Sequence, residues 1–286
     1  MTSLLFLFVT LFEVTSLCLC YKPVIYMHGI LAAPDEVKPI LDFIEKIHPG
    51  TNVTTIDAFS GYESLQPLWT QVYKIKEIVT GIMNEHPGGV HMICFSQGGL
   101  VCRGLLSVTR HNVDTFISLS SPQAGQYGDT AYLKYLFPHF VKKEIYRYFY
   151  TSFGQHWSVG NYWHDPHHEE LYRNQSVFLA LLDNDTNSAH NIDFKNNFLR
   201  LKNLVLIGGP HDQVITPWQS SQFGFLNGTE HILEMRQQQF YVKDSFGLKT
   251  LDRRKAIHTY TIPGIEHVMW YRDQKVFDCC IKHWLT

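Results

Sequence analysis

The chain has 286 residues, of which 45% are hydrophobic and 17% charged, as in a folded globular protein rather than a disordered one. A chain of this length can form one large α/β domain. Its formal net charge of −2 provides no basic field for phosphate backbones or anionic lipid, so we expect no nucleic-acid partner.

Residues 1–20 have the character of a signal peptide. An apolar run from Leu4 to Phe12 is followed by small side chains that suit a cleavage site, namely Ser16, Cys18 and Cys20. The alternative is an uncleaved membrane anchor, but Glu13 interrupts a run that needs about 20 apolar residues to span a bilayer. We therefore expect a mature protein of residues 21–286 that enters the secretory pathway and has no membrane span.

Four triplets fit the N-glycosylation pattern, and they begin at Asn52, Asn174, Asn184 and Asn227. One such triplet often arises by chance. Four of them behind a signal peptide agree with passage through the secretory pathway.

Apolar runs of strand length alternate with helical patterns along the chain. The predicted strands are 23–27, 53–57, 90–94, 114–119, 204–207 and 257–262, and the predicted helices are 36–47, 68–84 and 100–108. This alternation predicts right-handed crossovers and a mainly parallel, doubly wound sheet. Such sheets carry their ligand sites at the carboxyl ends of the strands.

An aromatic-rich insertion at about 125–201 interrupts the alternation. Long insertions between core strands are usually functional, and we expect a cap that forms an apolar groove for an acyl chain. The alternative is a small satellite core packed on the sheet, where aromatic side chains fit equally well. The aromatic residues are Tyr132, Tyr135, Phe137, Phe140, Tyr146, Tyr148, Phe149, Tyr150, Phe153, Trp157, Tyr162 and Trp163.

The segment Ile93–Leu100 has the pattern of a nucleophile elbow. A predicted strand enters it and a predicted helix leaves it, which is the context that exposes a nucleophilic serine on a strained turn. The turn needs small residues two positions before and after Ser96. Gly98 and Cys94 meet this need, although glycine is usual where Cys94 stands. The alternative is a structural serine in a glycine-rich turn.

An acid and a histidine follow the elbow in the required order. A serine hydroxyl is a weak nucleophile until a base accepts its proton. Asp212 follows the predicted strand 204–207, although aspartate is also common in ordinary turns, and His267 follows the strand 257–262. His258 lies within that strand and His283 in the terminal helix. We therefore predict a triad of Ser96, Asp212 and His267 on an α/β-hydrolase fold.

Two backbone N–H groups should bind the oxyanion of the reaction. One belongs to Gln97, directly after the nucleophile, and the other to Ile30 in the loop after the first strand.

Four cysteines lie beyond residue 20 and allow three pairings. Cys94 ends a strand and Cys102 lies on the helix behind it, which suits the Cα separation of about 4.4–6.8 Å in disulfides. The alternative is two small core cysteines. Cys279 and Cys280 are too close in sequence for an ordinary loop-closing bridge, so we expect one or both to be free.

The run His164–Glu170 combines histidines and carboxylates, which are ligands that zinc uses. No second ligand set is evident, and a Ser-His-Asp enzyme needs no metal. We therefore expect these residues to organise the cap through hydrogen bonds, and we expect no metal and no cofactor.

The chain resembles the palmitoyl-protein thioesterase family, and within it the lysosomal thioesterases of type 2. The resemblance covers residues 21–286 and is carried by the blocks 94–107, 116–138, 161–172, 205–225 and 244–251. It implies the same triad, Ser96, Asp212 and His267, and the same oxyanion donors, Ile30 and Gln97.

The resemblance also implies a lysosomal location, which leaves secretion open, and sorting through a receptor for mannose-phosphate-type glycans. The implied reaction is hydrolysis of fatty-acyl thioesters, on acyl-CoA or small S-acyl substrates more than on bulky palmitoylated proteins. Relatives of this type carry further cysteine pairs, but the predicted cap has no cysteine, and Tyr260 stands where a partner of Cys280 is expected. The residues alone leave open a lipase or carboxylesterase and a catalytically inactive lipid-binding protein.

Overall fold

A computed structural model describes residues 21–139, 141–186 and 192–286. The predicted signal peptide and Phe140 lie outside the described residues. Within those residues, no helix is both long and apolar enough to cross a membrane.

Eight strands are present in the described chain: β1 (Val24–Met27), β2 (Val53–Thr55), β3 (Val90–Phe95), β4 (Val113–Leu119), β5 (Asn203–Gly208), β6 (Phe225–Leu226), β7 (Ile232–Leu233) and β8 (Ile257–Thr261). Six of them form a parallel sheet in the order β2-β1-β3-β4-β5-β8, and β6 and β7 form a separate antiparallel pair. The predicted doubly wound parallel sheet is confirmed, and all six of its strands lie within the predicted apolar runs or one residue beyond them.

The central strands read as continuous apolar runs because both faces of the sheet are covered. In β1, Ile25 and Met27 enter one core, and Val24 and Tyr26 enter the core on the opposite face. The same alternation repeats in β3, β4 and β5, as expected for side chains that point to opposite sides of a strand.

Helices cover both faces. On one face, α1 (Lys38–Ile47) packs with the C-terminal segment, where α12 (Gln274–Val276) continues into a π-helical turn, Phe277–Ile281. On the other face, α2 (Leu68–Glu85) packs with α3 (Gln97–Val108). The predicted helix 36–47 begins instead with a 3-10 turn, Pro34–Val37, because Pro39 has no N–H for a helical hydrogen bond and suits the first turn of α1.

Two segments interrupt the strand order. Between β4 and β5 lie α4 (Ala131–Leu136), α5 (Tyr146–Phe149), α6 (Ser158–Tyr162), α7 (Glu169–Gln175), α8 (Leu179–Leu182) and α9 (Ile192–Phe198). Of these, α9 packs on α3 and so extends the helical layer of the sheet. Between β5 and β8 lie β6, β7, α10 (Gln239–Val242) and α11 (Leu248–Arg253). No pattern in the sequence predicts this second segment, because elements this short show no clear periodicity.

The strand order reverses between β1 and β3. The chain passes from β1 outward to β2 and then returns to β3 on the other side of β1. Ligands of doubly wound sheets bind where the order reverses, outside the carboxyl ends of the strands. The loops after β1 and β3 meet at that position.

Candidate active site

Ser96 occupies a strained turn between β3 and α3. Its backbone has φ 53° and ψ −129°, a combination that is rare for a residue with a side chain. Strain of this kind persists only where the surroundings impose it. The turn therefore holds the Ser96 side chain at the carboxyl end of β3, as an elbow requires.

Gly98 and Gly29 allow the turn to pack closely against the loop after β1. A Cβ at Gly98 would lie 2.3 Å from the carbonyl oxygen of His28 and 2.8 Å from that of Met27. A Cβ at Gly29 would lie 2.9 Å from the Cβ of Ser96. Glycine is needed at both positions because backbone or the reactive side chain fills the space.

The structure brings the three predicted triad residues into contact. The Ser96 hydroxyl lies 2.9 Å from Nε2 of His267, and Nδ1 of His267 lies 2.9 and 2.8 Å from the two carboxylate oxygens of Asp212. Asp212 accepts from Nδ1–H, so Nε2 is the nitrogen that is free to accept the serine proton. All three residues are buried, and the ring of Phe95 lies 4.9 Å from the imidazole of His267.

The environment of Asp212 favours its charged form. Burial by itself would raise the pKa of this carboxyl, but hydrogen bonding and attraction to His267, with hydrogen bonds from Ile215 and Ser120, outweigh it and lower the pKa. The lowered pKa favours the carboxylate form of Asp212, which accepts from Nδ1–H of His267.

The two predicted oxyanion donors lie on neighbouring loops. Ile30 belongs to the loop after β1, and Gln97 is the first residue of α3, whose first-turn N–H groups have no partner within the helix. Ser64 connects the loops: its hydroxyl accepts from the N–H of Leu31 at 2.7 Å, and its carbonyl accepts from the side-chain amide of Gln97 at 2.7 Å. No motif in the sequence marks Ser64, so its role is evident only from the structure.

Two disulfides are present among the described residues. Cys94 and Cys102 are joined with a Cα separation of 6.5 Å, so the predicted bridge ties β3 to the helix behind it. Cys279 and Cys280 are bonded to each other. The expectation that one or both of them is free is therefore wrong, because adjacent cysteines can close a small ring without enclosing a loop.

The run His164–Glu170 forms hydrogen bonds within the cap. His164 contacts Glu169 at 3.0 Å, and His168 contacts Asp165 at 3.0 Å. His164 is also stacked between two aromatic rings and contacts the carbonyl of Ala124 at 3.0 Å. Among the described residues, no group of three or more His, Cys, Asp or Glu side chains could hold a metal ion.

The buried aromatic residues of the insertion join the core on the α2 and α3 face of the sheet and do not form a separate satellite core; they are Phe149, Tyr150, Tyr162 and Trp163. Phe149 and Trp163 are fully buried, with ring centroids 5.5 Å apart, and Phe137 lies 5.2 Å from Phe149. Phe153 and Trp157 instead border an open apolar groove of about 670 Å³, whose lining residues are Tyr62, Leu65, Gln66, Pro67, Phe153, His156 and Trp157.

The four candidate glycosylation sites differ in exposure. Asn52 and Asn174 are exposed, and Asn227 is half-buried in a turn beside β6. Asn184 is only 7% exposed, and its side-chain amide donates to the carbonyl of Ser245 at 3.0 Å.

Comparison with known proteins places the chain among thioesterases. The sequence pattern of the family described as Palmitoyl protein thioesterase matches residues 23–267. The chain is 54% identical to lysosomal thioesterase PPT2 of Rattus norvegicus over 93% of this chain and 88% of the relative. It is 40% identical to the lysosomal thioesterase PPT2 homolog of Drosophila melanogaster over 91% of each chain.

Among solved structures, the mature form of Bacillus licheniformis lipase BlEst2 is similar with a TM-score of 0.49 and 12% identity, over 93% of both chains. The family pattern matches most of the chain, and the relatives are 40% and 54% identical to it. The chain therefore belongs to the palmitoyl protein thioesterase family.

Proposed function

We propose that this protein is a serine thioesterase that hydrolyses fatty-acyl thioesters, such as acyl-CoA or S-acylated small thiols and peptides, to a free fatty acid and a thiol. The observation that carries the proposal is the unbroken hydrogen-bonded series Asp212–His267–Ser96 at the carboxyl ends of the strands. The names of the relatives, which are lysosomal thioesterases, support the substrate class.

In the proposed reaction, the Ser96 hydroxyl attacks the acyl carbonyl while Nε2 of His267 accepts its proton. Asp212 orients the imidazole and stabilises its charged form. The backbone N–H groups of Ile30 and Gln97 stabilise the oxyanion. The thiol then leaves, and a water molecule activated by His267 releases the fatty acid from the acyl-enzyme.

The triad alone leaves two kinds of ester open. A thiol with a pKa near about 8.5 needs far less proton assistance to leave than an alkoxide, yet Ser96 could attack either carbonyl. A lipase or carboxylesterase is therefore the first alternative, and a catalytically inactive lipid-binding protein is the second.

The apolar groove beside the cap is the proposed site of the acyl chain. Leu65 and Pro67 on its wall lie one and three residues after Ser64, whose carbonyl accepts from the side-chain amide of Gln97 at 2.7 Å. Apolar pockets with few polar groups are typical of ligand sites. Trp157→Ala should raise KM for a long-chain acyl-CoA several-fold and leave a short-chain substrate nearly unaffected.

The proposed location is the lysosome, reached through the secretory pathway, with secretion as a second destination. Glycans at Asn52, Asn174 and Asn227 would be accessible to a sorting receptor. We propose that Asn184 carries the least glycan of the four, since its amide is buried against Ser245. Site-by-site mass spectrometry of the secreted or lysosomal protein tests this order.

The decisive experiment compares rates on a palmitoyl-CoA and on a matched palmitoyl oxygen ester for wild type and Ser96→Ala. We expect faster thioester hydrolysis, loss of both activities in Ser96→Ala, and fluorophosphonate labelling of wild type alone. A preference for the oxygen ester would favour the lipase. Folded wild-type protein without labelling or turnover would favour the lipid-binding protein.

The pH dependence offers a second test. His267 must be unprotonated to accept the serine proton, so its protonation in acid removes the proposed base. We expect kcat/KM to rise from pH 5 towards neutrality. A maximum below pH 5 would contradict the proposed base.

A further inference from the structure

The Asp212 carboxylate accepts hydrogen bonds from more groups than the triad requires. Its Oδ2 accepts from the hydroxyl of Ser120 at 2.5 Å and from the indole N–H of Trp270 at 2.6 Å, beside Nδ1 of His267 at 2.8 Å. Its Oδ1 accepts from the backbone N–H groups of Val214 at 3.0 Å and Ile215 at 2.7 Å.

These donors oppose protonation of the carboxyl. Backbone and indole N–H groups can only donate, so a proton on Oδ1 would face Val214 and Ile215, and a proton on Oδ2 would face Trp270. The Asp212 side chain is fully buried, so water cannot replace a donor that is lost. Of the groups that contact the carboxylate, His267 can carry a charge, and the other four donors are uncharged.

The surrounding chain holds Ser120 and Trp270 in place. Ser120 directly follows β4, has φ 43°, and donates its N–H to the carbonyl of Ile207 on β5 at 2.7 Å. This backbone conformation is strained for a serine, and it places the hydroxyl beside the acid. Trp270 lies three residues after His267 and is fully buried in the core that covers one face of the sheet. The two donors therefore reach Asp212 from separate parts of the fold.

We propose that Ser120 and Trp270 are positioning residues, which keep the Asp212 carboxylate ionised and aligned with the His267 imidazole at acidic pH. This inference rests on the proposed function, since it assigns Asp212 the role of triad acid. This role explains why Asp212 has two side-chain donors in addition to His267. In an acidic compartment, a protonated Asp212 could no longer accept the hydrogen bond that orients His267.

The test is the pH profile of kcat and KM for Ser120→Ala and Trp270→Phe on palmitoyl-CoA. Losing one hydrogen bond to a carboxylate should lower kcat at pH 5 by up to about 10-fold, with a smaller loss at pH 7.5. KM should stay nearly unchanged, and the acid limb of the profile should move up by about one pH unit.

Two matched controls separate this role from simple destabilisation. Ser221 is a fully buried serine, and Trp284 is a tryptophan away from Asp212; within the described residues, the Ser221 hydroxyl and the Trp284 indole N–H have no hydrogen-bond partner. Ser221→Ala and Trp284→Phe should leave the acid limb in place. Thermal unfolding reports whether each variant folds. If Ser120→Ala does not fold, Trp270→Phe alone provides the test.

Equal losses at pH 5 and 7.5, or no loss at all, would overturn the inference while leaving the triad intact. Wild-type protein without activity on palmitoyl-CoA, or full activity in Ser96→Ala, would instead overturn the proposed function and the inference with it. The two failures are therefore distinguishable.

Discussion

A buried ion pair connects the nucleophile helix to the cap, and breaking it should destabilise the protein strongly. The guanidinium of Arg103 on α3 donates to Asp183, which directly follows α8, and to the carbonyl of Gln123 at 3.0 Å. It also lies over the rings of Phe223 and Phe246, at 5.0 and 4.1 Å from their centroids. The side chains of Arg103 and Asp183 are 1% and 4% exposed, so neither charge can turn to water.

The expected loss follows from this burial. Removing one member of a buried pair leaves the other charge uncompensated and costs about 3–5 kcal/mol. In a domain of this size each kcal/mol lowers Tm by roughly 2–4 °C, so Asp183→Leu should lower Tm by about 6–20 °C. Arg103→Met should cost less at acidic pH, because burial raises the pKa of the Asp183 carboxyl, which can then take a proton.

The assay is thermal unfolding, followed by circular dichroism at pH 5 and 7.5, for both single variants and the double variant. Arg103→Met with Asp183→Leu should recover most of the loss, since apolar side chains of similar volume can replace a buried pair. The control is Asp42→Asn, which breaks the exposed pair with Lys38 and should cost at most about 1 kcal/mol. If Asp183→Leu costs no more than this control, or the double variant loses the sum of both singles, the reasoning is refuted.

Three further variants test the elbow and the pH dependence of stability. Gly98→Ala should abolish turnover or folding, because its Cβ would overlap the carbonyl of His28; an active enzyme with an unchanged Tm would contradict this. Burial and then Arg200 lower the pKa of His111 to about 4, so the unfolded chain binds the proton first as pH falls. Between pH 7.5 and 5, His111→Asn should therefore lose roughly 2 kcal/mol less free energy of unfolding than the wild type, as measured by denaturant unfolding. Burial lowers the pKa of His164, but Glu169 outweighs this and raises it. In the same assay, His164→Gln should therefore have a lower free energy of unfolding than the wild type. The difference should be largest below about pH 6.5 and decrease as pH rises. A difference that does not change with pH would refute this.

Local sequence was enough to predict the sheet and to select Ser96, Asp212 and His267, the three residues that the structure brings into hydrogen-bond contact. A parallel strand covered on both faces reads as an apolar run, so β1, β3, β4 and β5 could be located without tertiary information. An elbow needs a small residue two positions after its serine, and Gly98 supplies one. The chain order of serine, acid and histidine then selected Asp212 and His267 among many candidates.

Contacts between distant segments could not be inferred in this way. Ser120 lies 92 residues from Asp212, and Trp270 lies 58 residues from it, yet both donate to one carboxylate oxygen. Nothing in the local pattern around either residue distinguishes it from an ordinary core side chain. The pairing of Arg103 with Asp183, 80 residues away, is hidden for the same reason.

Periodicity and turn chemistry act over a few residues. The positions of the strands and of the elbow along the chain can therefore be predicted from the amino-acid sequence. The hydrogen bonds around a buried carboxylate and the bond between Cys279 and Cys280 depend on where the folded chain places each group. Burial makes the hydrogen bonds to the carboxylate strong because water no longer competes for the donors. Burial is a property of the assembled tertiary structure.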